Sequence, residues 1–229
     1  MAAADVQWVR RVRAGVGVTV AAYLVYALAG FTIQIVPPRV YDLAVFWTAG
    51  LLEVLGVWWV STPEPDVGRM RDPRRQRQLL RTLAVIAGVG RVVGSVAVAL
   101  GGMSRRWPGV MERTFVIGLV LCAAWPAATA LFYGRLADLM RRVPGGLLHR
   151  QAVVIGWGLA TGIASFLWGV VGLIFRRVQI SDAAFTVFGL ELVAFGLWGL
   201  GLLVMCWRAI AGGVNANKAP VGAAQGLQL

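Results

Sequence analysis

The stretch "AVIAGVGRVVGSVAVAL", residues 84–100, carries one charged side chain, Arg91, close to its middle. It has no proline, and its apolar character begins upstream at Leu79 and Leu80. An α-helix needs about 20 mostly apolar residues to cross roughly 30 Å of hydrocarbon. The run therefore reads as a membrane helix with an arginine inside it.

The rest of the chain has the same character. Of 229 residues, 59% are hydrophobic and 14% charged, and the mean hydropathy is +0.73. A soluble domain carries about 25% charged residues. Six stretches are long enough to span, at 15–36, 43–60, 79–101, 114–133, 152–175 and 184–207. The expected fold is all-α, a polytopic bundle of six transmembrane helices over residues 1–211, with a flexible cytoplasmic tail at 212–229. Abundant glycine suits close helix approach in lipid.

The net charge of +12 would suggest nucleic acid in a soluble protein, but in a membrane chain its distribution decides its meaning. With the N-terminus inside, fifteen Lys and Arg fall on the cytoplasmic side, clustered at Arg10–Arg13, Arg69–Arg81 and Arg135–Arg150. Six fall outside, Arg39, Arg105, Arg106, Arg113, Arg176 and Arg177. Both termini are expected in the cytoplasm, with the basic loops against anionic lipid headgroups and no role for nucleic acid. The N-terminal run also imitates a cleavable signal ending at Ala27-Leu28-Ala29. It continues through "FTIQIV", however, so it is read as a retained first helix.

Prolines mark the punctuation. Pro37 and Pro38 end helix 1, Pro63 and Pro65 follow helix 2, and Asp72-Pro73 reads as a helix start. Pro126 removes a backbone hydrogen bond to residue 122 and should kink helix 4. Asp138 can pair with Arg135, Arg141 or Arg142 at helical spacing. Helix 3, "AVIAGVGRVVG", aligns without gaps to "AVVIGWGLATG" at 152–162. Both run outward, so a duplicated hairpin is topologically allowed, although a chain this rich in Gly, Ala and Val makes such matches by composition.

Beyond Arg81 at the cytoplasmic entry of its span, three charged residues fall inside predicted spans, Glu53, Arg91 and Glu191. Such charges are costly unless paired or hydrated, which makes each a candidate. Three, four and seven residues from Arg91 stand Ala84, Ala87, Gly88, Gly94, Ser95 and Val98, while Val85, Val89, Val92 and Val96 take the other side. Glu53 has Ala49, Gly50 and Gly56 around it. At 1.5 Å per residue the two lie at about 11 and 15 Å from the cytoplasmic end of their helices. An intramembrane ion pair, Glu53 with Arg91, is expected. Glu191 lies nearer the outer side among Val187, Phe188, Ala194, Phe195 and Trp198, with Arg176 and Arg177 the nearest basic residues in sequence. It is the candidate proton or cation site.

No enzyme is indicated. HExxH, GxSxG and paired intramembrane aspartates are absent, His149 is the single histidine, and Cys122 and Cys206 have no metal spacing. Gly88 and Gly90 imitate a dinucleotide-binding turn, but the third glycine is displaced and the strand-turn-helix context is missing. No catalytic, cofactor-binding or metal-binding set is expected. Trp58, Trp59, Trp107 and Trp207 fit interfacial anchors, and Trp125, Trp157, Trp168 and Trp198 lie deeper and are read as packing residues rather than a cage. In organisation the chain resembles small polytopic proteins of the bacterial cytoplasmic membrane. Two functions fit. One is movement or sensing of a small solute or ion. The other is an accessory or scaffold subunit that meets a membrane-protein partner or a second copy through glycine-rich faces at 90–94 and 158–162.

Overall fold

The computed structural model describes residues 3–35, 40–63, 74–103, 108–141, 147–174, 183–184, 186–187 and 190–216. These are helical apart from short turns, with no strand among them. The helices are α1 (Ala3–Ile35), α2 (Val40–Val60), α3 (Arg74–Met103), α4 (Pro108–Cys122), α5 (Ala124–Met140), α6 (Leu147–Ile174) and α7 (Leu197–Ala216). A π-helical turn, Leu192–Gly196, leads into α7. Among the described residues three stretches are long and apolar enough to cross a membrane: Arg74–Val96, Arg113–Met140 and Leu147–Gly172.

Several helices begin earlier than hydropathy suggests. α1 starts at Ala3, α3 at Arg74 and α4 at Pro108, the last with proline at the first helical position, where its missing N–H costs nothing. Hydropathy marks what can enter lipid, whereas a helix continues into water for as long as its residues tolerate it. Asp72 and Pro73 lie outside the described residues, as does the "PGG" at 144–146. α7 runs to Ala216, past the expected start of the tail, and the rest of that tail also lies outside the described residues.

α4 and α5 are one rod broken at Ala123. The Ala123 N–H is shared between the carbonyls of Leu119 and Val120, both at 3.2 Å. Pro126 is three residues beyond the break and cannot donate to Cys122, so the chain loosens its last α4 turn there.

Small residues set the contacts between rods. α1 and α2 cross where a Cβ on Gly15 would lie 2.8 Å from the Val60 nitrogen. α3 and α4 cross where a Cβ on Gly118 would lie 2.5 Å from the Gly94 nitrogen, and one on Gly90 would lie 2.6 Å from the Cys122 nitrogen. On α6, Gly158 receives the Phe195 ring and Gly162 receives Glu191. Gly90, Gly158 and Gly162 are thus met from within the chain, whereas a Cβ on Gly94 would meet nothing within 4 Å.

The aligned glycines of α3 and α6 also hold matching jobs. Gly88 faces Val54 and Gly156 faces Tyr133, each on the preceding rod. Gly90, like Gly158 and Gly162, faces the following rod, and Gly94 meets that rod through its backbone, against Gly118.

The buried core gathers where α2 and α5 end and α3 and α6 begin, around Val60, Leu80, Leu136, Met140, Ile155 and Leu202. Polar groups close the same end. Arg81 Nε donates to Ser61 Oγ at 2.8 Å, and its Nη2 donates to the Ser61 and Trp58 carbonyls at 3.0 and 3.2 Å. Trp8 Nε1 donates to the Thr62 carbonyl at 3.1 Å. These donors meet the carbonyls that the C-terminus of α2 leaves without intrahelical partners. Arg13 stacks on Trp207, with Cζ 4.2 Å from the ring centroid. Arg141 Nε lies 3.7 Å from Asp138 Oδ1 and 3.3 Å from His149 Nε2. The His149 Nδ1 meets the Ala137 carbonyl at 3.0 Å.

The outer surface is apolar. Leu51, Leu55, Val85, Val89, Ile117 and Val120 are exposed, as a lipid-facing surface requires. Trp157 and Trp168 are 65% and 62% exposed, and Trp198 is also exposed, which corrects their reading as packing residues. In lipid a large aromatic gains little by turning inward, so the interior goes to residues small enough to let helices touch.

Candidate functional site

Glu53 and Arg91 meet between α2 and α3. Arg91 Nη1 lies 2.5 Å from Glu53 Oε2, and the side chains are 16% (Arg91) and 18% (Glu53) exposed. Local sequence puts them there. Gly88 lets α2 come close through Val54, one residue from Glu53, while Val85 and Val89 hold the opposite face outward. Further along the same pair of helices, Trp47 Nε1 donates to Ser95 Oγ at 2.8 Å.

A third residue completes the pair. Trp125 Nε1 donates to Glu53 Oε1 at 3.2 Å, and its ring lies under the guanidinium, with Arg91 Cζ 4.5 Å from the centroid. One carboxylate thus accepts from two helices, one oxygen to each donor. Arg91 Nε also reaches the Ala87 carbonyl at 3.4 Å. The sequence reading counted Trp125 as a packing residue. The signal available was Pro126, because the break before it frees the first turn of α5 to turn an indole toward α2.

Glu191 is held elsewhere. It precedes the π-turn and packs over Gly162 of α6, where a Cβ would lie 3.1 Å from Glu191 Oε2. Thr161 Oγ1 is 3.2 Å from Glu191 Oε1, but it is also 2.9 Å from the Gly158 carbonyl and 3.1 Å from that of Trp157. A hydroxyl has one hydrogen for these three oxygens. Glu191 Oε2 is buried and makes no hydrogen bond. Arg176 and Arg177, the basic residues nearest in sequence, lie outside the described residues. The structure therefore brings Glu53 and Arg91 together and keeps Glu191 apart, on the α6 side.

Among the described residues no three potential metal-ligating side chains converge. Cys122 and Cys206 are free thiols in separate helices. Compared with known protein families, characterised proteins and solved structures, the chain matches none.

Proposed function

We propose that this chain is a six-span, non-catalytic protein of the bacterial cytoplasmic membrane, with both termini inside, that moves or senses a small ion, the ion being the proton. Glu191 is its binding group. The supporting observation is the half-satisfied carboxyl described above. A Thr161 hydroxyl that gives its hydrogen to its own helix can meet Glu191 only as an acceptor, which calls for a proton on the carboxyl. An ionised Glu191 instead competes for that hydrogen and leaves Oε2 without a donor, at a cost that burial raises. The site thus has two states that differ by one proton and one hydrogen bond. A π-turn immediately follows it, and such turns recur at functional positions in helices. The six-span topology and inside termini are supported by the asymmetry of the basic residues.

The test is flux in vesicles reconstituted with the purified full chain and a trapped pH dye. Wild type should collapse an imposed proton gradient faster than protein-free vesicles, and Glu191→Gln should fall to the protein-free rate. Wild-type vesicles no faster than protein-free ones, or an unaffected Glu191→Gln, would overturn the reading.

A second reading, an accessory subunit of a larger membrane complex, has its own observation. Trp157 and Trp168 stand outward along one face of α6, where either lipid or another helix can cover them. Co-purification of a membrane partner in mild detergent, lost on Trp157→Ala and accompanied by no flux, would favour it.

A further inference from the structure

At Glu53 of the ion pair a small cavity is lined by Thr19, Tyr23, Glu53, Val57, Ala128, Thr129 and Phe132. It leaves about 10 Å³ of room for the centre of a water molecule, the space of a single water. Thr19 is 2% exposed and Thr129 6% exposed, so two of its polar groups are buried.

The chemistry of the lining is complementary to one molecule. Thr19 Oγ1 donates its hydrogen to the Gly15 carbonyl at 3.0 Å, so its oxygen is left to accept. Glu53, as a carboxylate, only accepts. Tyr23 and Thr129 bring hydroxyls that can donate. Two acceptors and two donors around a one-water space match the two hydrogens and two lone pairs of water. Beyond Tyr23 stands Tyr133, fully buried, whose hydroxyl faces that of Tyr23 without a hydrogen bond of good geometry. Once Tyr23 gives its hydrogen to the cavity, its oxygen is free to accept from Tyr133.

We propose that this cavity is a binding site for one water molecule, which joins Thr19 and Tyr23 of α1 and Thr129 of α5 to the carboxylate of Glu53. The chain of donors runs from Tyr133 to Tyr23, from Tyr23 to the water, and from the water to Glu53 and Thr19. A buried ion pair is stable only where its remaining lone pairs are met, and the water extends that function to α1. A metal cation is the poorer occupant. Arg91 already neutralises Glu53, so a second positive charge at this point is repelled. The site is independent of Glu191, and its test uses no flux.

Pulsed radiolysis of the full chain in lipid nanodiscs converts bound waters to hydroxyl radicals that label adjacent side chains. Phe132, which is buried and lines the cavity, should be labelled several-fold more than Leu202, which is fully buried away from it. Thr129→Val keeps the shape and removes a donor, and it should cut Phe132 labelling several-fold and lower the melting temperature. Ala128→Val, which fills the space, should do the same. Labelling of Phe132 no greater than that of Leu202 in wild type would overturn the proposal. So would a rise in melting temperature for Thr129→Val, which a dry cavity would give. A saturable rise in wild-type melting temperature with sodium or ammonium, against N-methylglucamine, would assign the site to a cation and overturn it equally.

Discussion

Glu53 and Glu191 both sit within apolar runs of this chain, and their surroundings differ in one respect that matters. Glu53 has a hydrogen-bond donor on each oxygen, from Arg91 and Trp125, while Glu191 shares one contested hydroxyl and has nothing on the other oxygen. Supplied with a guanidinium and an indole N–H, the Glu53 carboxyl holds three rods in register. Glu191, with one oxygen unmet, joins only α6 to the turn that leads into α7. The same side chain is a rivet in one place and, under the proposed function, the proton-binding group in the other, according to what faces it.

The comparison breaks most severely at Arg91. Arg91→Leu strands Glu53 among apolar groups and should cost about 3–5 kcal/mol in a detergent unfolding titration. The double change Glu53→Leu with Arg91→Leu should cost clearly less, because no charge is left unpaired. Equal losses would mean that the pair does not act as a unit.

Gly118→Ala comes next. Its methyl would press on the backbone of Gly94, and overpacking of that kind typically costs about 1–3 kcal/mol. Gly94→Ala, with nothing within 4 Å of the added carbon, should be much milder in the same titration. Trp125→Phe keeps a ring under Arg91 and deletes the donor to Glu53, so a loss of about 1–3 kcal/mol is expected from the unmet acceptor. Glu191→Gln should be mildest in stability, within about 1 kcal/mol, because a neutral amide can still meet Thr161. Its flux should nevertheless vanish, and a large loss of stability instead would make Glu191 a second rivet.

The ion pair was legible before any fold because both of its coordinates lie along single helices. Small residues at three- and four-residue spacing around Arg91 and Glu53 give the face, and helical rise gives the depth. The shared glycine pattern of α3 and α6 was equally visible, and its positions contact the preceding and following rods in the same order. Trp125 was not legible, since its donor reaches Glu53 from 72 positions away. That approach depends on the break at Ala123 and on how α5 lies against α2. The outward tryptophans of α6 were misread for a related reason. Depth along a helix does not reveal which side meets lipid when both sides are apolar.

The sequence alone therefore determined that the chain is helical and apolar enough for membrane, which of its residues are charged within those helices, and that two of them share a depth. Those properties follow from composition and from the 1.5 Å and 3.6-residue periods of one helix at a time. The tertiary structure decided what each charge meets: an indole and a guanidinium for Glu53, a contested hydroxyl for Glu191, and a one-water cavity framed by α1, α2 and α5. These depend on the packing of rods distant in sequence, where a glycine or a proline break shifts a neighbour by the width of a hydrogen bond.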